Sequence, residues 1–216
     1  MLIDLFNQGG GFMWPILILL VIGLMICIER FFTLTRASVN TKKFFNNVQS
    51  ALDEGGVGQA LEVCENTRGP VAEIFHAGLS RVERGIDEVE KAVQNAGSIE
   101  MSFLERGLVW LSTIIAIAPM LGFTGTVWGM ILAFQDIEKA NDISPAIVAG
   151  GISVALLTTL FGLIVAMIIQ AFHNFFVSRI DKIIIDMEES SLQLVDKLSD
   201  MQEKGQLKTS SASSGN

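Results

Sequence analysis

Over its longest stretches this 216-residue chain has no charge. Residues 12–28, 107–134 and 143–177 contain no Asp, Glu, Lys or Arg. Cysteine is scarce as well. Cys27 and Cys64 have no CxxC spacing and are expected at a membrane edge and in a reducing cytoplasmic region, which excludes a disulfide framework and leaves two free thiols. The sequence has no Gly-rich phosphate loop, no nucleophile paired with a base and no metal-ligand cluster, so an ATP site, a hydrolase, a metal site or a cofactor is not expected. Bases are outnumbered too: 15 Lys and Arg against 23 Asp and Glu give a net charge of −8, with the acids scattered, which argues against nucleic-acid binding.

Apolar side chains fill the place of charge. They make up 50% of the chain, and the mean hydropathy is clearly positive. Each uncharged run meets the length of about 20 residues that a spanning helix needs. The expected fold is therefore all-α: a polytopic membrane protein with three transmembrane helices at 12–28, 107–134 and 143–177. The second and third exceed what a hydrocarbon core of about 30 Å requires, so they tilt or run on into the cytoplasm. The segment 1–11 holds Asp4 but no Lys or Arg, and no small-residue cleavage site follows the first run, so that run reads as a retained anchor.

Basic residues set the expected orientation. Arg30, Arg36, Lys42 and Lys43 follow the first run, Arg106 precedes the second, and Arg179 and Lys182 follow the third. The other side offers only Lys139, among Asp136, Glu138 and Asp142. The N-terminus is thus expected outside, 29–106 in the cytoplasm, 135–142 as a short outer loop, and 178–204 as a cytoplasmic helix.

Between the first two runs the pattern predicts short amphipathic helices broken at Gly55-Gly56 and Gly69-Pro70. Phe44, Phe45, Val48, Ala51 and Leu52 share one face, and Val71, Ile74, Phe75, Gly78, Leu79 and Val82 another. From Ile86 no proline interrupts the way into the second run, which predicts one continuous helix. Ile180, Ile183, Ile184, Met187, Leu192, Val195 and Leu198 predict that the third run continues as an amphipathic helix packing against it. The polar, low-complexity ending 205–216 is expected to be disordered.

Within the second run stands "GFTGTVWGM", rich in residues that lipid does not require. Helices in lipid associate through small residues that let backbones approach and through hydroxyls that bond across the contact. Gly122, Gly125 and Gly129 recur at i, i+3 and i+7 and make one small-residue face. Gly150, Gly151 and Ser153, continued by Thr158, Thr159 and Gly162, make a comparable patch on the third run. The threonines either bond back to their own helix or, with Ser153, face a polar lumen. Proton pathways usually place an ionisable side chain in the membrane, and here no acid or base lies in the core of any span. A carboxylate would have to come from another polypeptide.

"LSTIIAIAPMLGFTGTVWGMILAF" followed by "GGISVALLTTLFGLIVAM" resembles the second and third spans of the MotA/TolQ/ExbB proton-channel family, in particular its ExbB and TolQ branch. "IERFF" after the first span agrees with it. The resemblance in motif covers 107–170, the first span more loosely and the cytoplasmic middle in layout only. It implies a homopentamer of three-span subunits in a bacterial inner membrane, N-terminus periplasmic and C-terminus cytoplasmic, around a dimer of a single-span ExbD or TolR-like partner whose membrane Asp carries the proton. A TonB or TolA-like periplasm-spanning protein would receive the work. Thr126 and Thr159 match the threonines that face that Asp, and Pro119 matches the helix-bending proline. Where the branch commonly has a glutamate in "GI.EALL", this chain has Val154, which leaves the partner's Asp as the sole carboxylate. Three spans argue against the flagellar branch.

Other readings remain open at this point: a TolQ-type subunit, a non-conducting scaffold held by small-residue faces, or a solute transporter, the last weakened by the lack of an inverted repeat. Glu29 and Arg30 pair with neighbouring subunits or anchor at the interface. His173 and Asn174 form a polar cap or lie at a proton exit. His76 is expected at the surface or in the core of a cytoplasmic helix. Trp14 and Trp110 suit an interfacial belt, and Trp128 lies deep enough to need packing or a lumen.

Overall fold

The computed structural model describes residues 2–37, 41–140 and 145–204, and these are helical almost throughout, with no strand among them. The expected disordered tail at 205–216 and the end of the expected outer loop, 141–142, lie outside the described residues. In chain order the helices are α1 (Leu2–Gln8), α2 (Met13–Ala37), α3 (Thr41–Glu65), α4 (Pro70–Leu79), a 3-10 turn (Val82–Arg84), α5 (Ile86–Glu105), α6 (Leu108–Ala140) and α7 (Pro145–Glu203). Three of the helical stretches are long and apolar enough to cross a membrane. At 1.5 Å per residue, α6 is about 50 Å long and α7 about 90 Å, both well beyond a hydrocarbon core of about 30 Å.

The chain divides into two compact units, Met1–Phe31 with Gly107–Phe176 and Phe32–Arg106 with Val177–Asn216. The first is the membrane unit. Its outward surface is apolar, with Phe123, Leu156 and Met167 each more than 60% exposed, which suits lipid or a neighbouring apolar surface and not water. Along α6 a single stripe is buried: Leu111, Ile114, Ala118, Gly122, Gly125, Gly129 and Ala133, at steps of three or four. The facing stripe on α7 begins Gly151, Ala155, Thr158 and Gly162. Helix α2 joins them at Gly23, where a β-carbon would stand 2.7 Å from Ile169 Cδ1.

In the second unit, α3 is kinked at Gly56, whose φ of 70° only glycine adopts freely. Phe44, Val48, Ala51 and Leu52 of the expected face are buried, and Phe44 and Phe45 both lie against Phe75, with ring centroids 5.3 and 6.1 Å away. Gly69 and Pro70 start α4, with the proline in the first turn where its missing N–H costs nothing. Gly78 is the point where α4, α5 and α7 meet, because a β-carbon there would collide with Val93 and touch Leu194 and Val89. Lys197 of α7 is paired with Asp53 of α3 at 2.8 Å. The buried stripe of α7 in this unit runs Ile180, Ile183, Met187, Leu194, Leu198, Met201. Leu194 takes the place that spacing gave to Leu192, which is exposed.

Two boundaries differ from expectation. The helix expected to run from Ile86 into the second span is broken, because Arg106 is extended (φ −55°, ψ 129°) and Gly107 has φ 92°. The cause is Gly107 itself, which permits the left-handed conformation, and a β-carbon at this position would lie 3.1 Å from Arg30 Nε. At the other end, α6 continues through Ala140, so 135–140 are helix where an outer loop was expected.

Cys64 is buried at the end of α3, and burial first, then the carboxylates of Glu65 and Glu73, push its thiol up to about 12. Against an ordinary thiol this leaves about a thousandfold less thiolate near pH 8. Maleimide labelling of a Cys27→Ser chain, read by mass spectrometry, is expected to be slow when folded and fast in denaturant. Because the folded state keeps a proton that the unfolded chain loses, alkali above about pH 8.5 favours unfolding.

Candidate functional site: the seam between α6 and α7

The two helices run antiparallel and approach closely enough for backbone to meet backbone. A β-carbon on Gly122 would lie 2.9 Å from the Thr158 carbonyl oxygen, one on Gly129 2.6 Å from the Gly151 carbonyl oxygen, and one on Gly162 2.6 Å from that of Ala118. One on Gly125 would run into the Thr158 side chain. None of these positions has room for a side chain. The reciprocal fit of Gly122, Gly125 and Gly129 with Gly151, Ala155, Thr158 and Gly162 is the small-residue contact that lipid-embedded helices rely on. Gly150 is different, because nothing stands within 4 Å of a β-carbon there, so of the glycine pair only Gly151 faces α6.

The hydroxyls divide by position. Thr158 is fully buried, and its Oγ1 lies 3.0 Å from the Val154 and Ala155 carbonyls and 3.3 Å from that of Gly122. It belongs to the seam, with its hydroxyl bonded back to its own helix, one of the two arrangements expected for these threonines. Thr159 is half-buried and donates to the Gly122 carbonyl at 3.2 Å, and Thr126, also half-buried, donates to the Phe123 carbonyl at 2.5 Å. These two hydroxyls flank Gly122 at the edge of the seam. Ser153 is half-buried five residues before Thr158. Thr124, by contrast, is exposed and bonds back to Met120 at 2.8 Å. Pro119 sits inside α6 without an N–H to give, which deprives the Ile115 carbonyl of its intrahelical donor.

Glu29 and Arg30 are brought together within the chain. Arg30 is only 7% exposed, and its Nε and Nη2 donate to the two Glu29 carboxylate oxygens at 2.8 and 2.9 Å, the bidentate arrangement that makes a buried guanidinium tolerable. Ser112 was not singled out by spacing, yet its Oγ is 3.0 Å from His173 Nε2 across the seam. A single serine in an apolar helix carries no pattern that would reveal its partner 61 residues away. Trp14 and Trp110 are exposed, and Trp128 is half-exposed with Phe12 against it at a centroid distance of 6.3 Å. His76 lies at the surface, 3.6 Å from Glu65.

The charge-free, glycine-packed spans of these two helices, 107–134 and 143–177, fall within the part of the chain, residues 66–189, that matches the model of the MotA/TolQ/ExbB proton channel family. The chain belongs to that family. It is 34% identical over 197 residues to a putative biopolymer transport protein ExbB homolog of Methanothermobacter thermautotrophicus, covering 91% of this chain and 68% of that one. It is 40% identical over 78 residues to the biopolymer transport protein ExbB of Salmonella typhimurium, 36% of this chain and 32% of the other. Over 125 residues it is 33% identical to the Tol-Pal system protein TolQ of Pseudomonas aeruginosa, 53% and 54% respectively. The relatives place it in the ExbB/TolQ branch of the MotA/TolQ/ExbB family. It is accordingly a multi-pass membrane protein of a proton-channel, energy-transducing class.

Proposed function

We propose that this chain is the channel subunit of an ExbB-type motor driven by proton motive force in a bacterial inner membrane. Five copies surround a dimer of an ExbD-like single-span protein, which brings the carboxylate, and the movement that results powers transport at the outer membrane through a TonB-like protein. The N-terminus is periplasmic, and the second unit and the C-terminus are cytoplasmic.

The observation that carries this reading is the division of hydroxyls along a span pair that has no Asp, Glu, Lys or Arg of its own. Thr158 is used up in packing, while Thr126 and Thr159 stay at the edge of the seam, where a proton carrier on another chain could reach them. In lipid a lone carboxylate is costly unless polar groups meet it, and these hydroxyls supply them. Val154 leaves the carboxylate to the partner. A TolQ-type role in envelope integrity is the second reading, favoured by the likeness to the Pseudomonas protein.

The test is proton flux into proteoliposomes under an imposed potential. The chain alone is expected to be tight and the chain with its single-span partner to conduct. Equal flux with and without the partner, or none with it, would contradict the proposal.

A further inference from the structure

We propose that His173, hydrogen-bonded to Ser112, is a proton-relay residue at the inner foot of the face that carries Thr126 and Thr159, passing protons between that face and the cytoplasmic water. The inference rests on the channel reading above and adds to it the group that the spans seemed to lack.

Three observations converge on this pair. First, with no Asp, Glu, Lys or Arg in 12–28, 107–134 and 143–177 and no tyrosine in the chain, His173 and the Cys27 thiol are the only ionisable side chains in the spans. Only the imidazole has an unperturbed pKa near neutrality. Second, the pair lies on the right face. Ser112 precedes Thr126 by 14 residues and His173 follows Thr159 by 14. At 3.6 residues per turn that is about four turns, so each pair shares a helix face, with a separation of about 21 Å along the axis. Because α6 and α7 are antiparallel, both steps lead the same way, and the Ile115 carbonyl freed by Pro119 lies between.

Third, the ring is only half used. Nε2 is 3.0 Å from Ser112 Oγ, while Nδ1 is buried and has no hydrogen-bond partner among the described residues. Gln170 and Asn174 on the same helix are bonded to each other at 2.8 Å. A histidine serving only as a polar cap would turn its second nitrogen to water. An imidazole that relays needs both nitrogens: it takes a proton on the free nitrogen, becomes imidazolium, and gives up the proton from the other nitrogen to the Ser112 hydroxyl, which passes its own proton on to water from its exposed position. The ring is then the other neutral tautomer and is reset by turning over before the next proton. The other ionisable groups on the helices of this unit near this end are Cys27, Glu29 and Arg30 on α2, the last two paired with each other. Helix α6 brings none before Asp136, and α7 none before Arg179.

The experiment uses the full chain with its single-span partner in proteoliposomes, with flux read by an internal pH dye over about pH 5.5 to 8. Wild-type flux is expected to change with pH across this range. His173→Gln keeps a hydrogen-bonding side chain that cannot titrate, and it should lower flux at least about tenfold and flatten the profile. Wild-type flux and profile in His173→Gln, with Thr159→Val still blocking, would overturn the relay and leave the channel reading standing. No flux in the wild type would overturn both. Should His173→Gln fail to assemble, 15N-histidine NMR of the wild-type complex decides, with His76→Gln assigning the signals. A ring that protonates in the same range supports the relay, and one that stays neutral to about pH 5 overturns it.

Discussion

Gly125→Leu is expected to separate α6 from α7 and cost the folded membrane unit about 3 kcal/mol or more. The first added carbon already meets the Thr158 side chain, including its Cβ, which cannot swing aside, and the rest of the leucine would have to pass through α7. Relief requires the helices to move apart, which strips contact from Gly122, Gly129, Gly151 and Gly162 at once, because each of those approaches depends on the same interaxial distance. Gly150→Leu is the matched control. It adds the same side chain to a membrane-unit glycine where a β-carbon has open space. Thermal unfolding followed by size-exclusion in detergent should therefore show Gly125→Leu aggregated or melted far below wild type, with Gly150→Leu close to it.

Thr159→Val and Thr126→Val should each lower partner-dependent proton flux by at least about tenfold while leaving assembly intact. Valine keeps the shape and removes the hydroxyl. The structural loss is small, since an interhelical hydroxyl bond such as that from Thr159 to the Gly122 carbonyl is worth about 0.6 kcal/mol in a membrane protein. The functional loss is large if the hydroxyl is what meets a charge in a medium of low dielectric, where a preorganised donor counts for far more than in water. Two further substitutions separate these effects. Thr158→Val removes a hydroxyl committed to backbone carbonyls inside the seam, so it should lower stability more than flux. Thr124→Val removes an exposed, back-bonded hydroxyl and should change neither. If Thr124→Val lowers flux as much as Thr159→Val, the division of hydroxyls drawn from the structure is wrong.

The spans were readable because an uncharged run of membrane length has few alternatives, and the small-residue faces because Gly122, Gly125 and Gly129 repeat at helical spacing. The helix break at Arg106-Gly107 was not, because glycine inside a helical pattern is often tolerated, and what makes this one decisive is the Arg30 side chain beside it. The adjacent threonines of "LLTT" are equivalent in composition. Only the rotation of α7 against α6 puts Thr158 inside and Thr159 at the edge. The Ser112–His173 bond joins positions far apart in the chain that no periodicity connects. Local pattern fixes which faces are small, apolar or polar, while the pairing of particular side chains depends on register between helices, which the chain does not spell out locally.

The central claim, that this subunit is a ring built to hold a proton-carrying partner, is tested most directly by native mass spectrometry of the detergent-extracted chain, alone and co-expressed with a single-span ExbD-like protein. The account predicts a five-fold ring that takes up two partner chains. A monomer or dimer indifferent to the partner would contradict it and leave a membrane scaffold held by its small-residue faces.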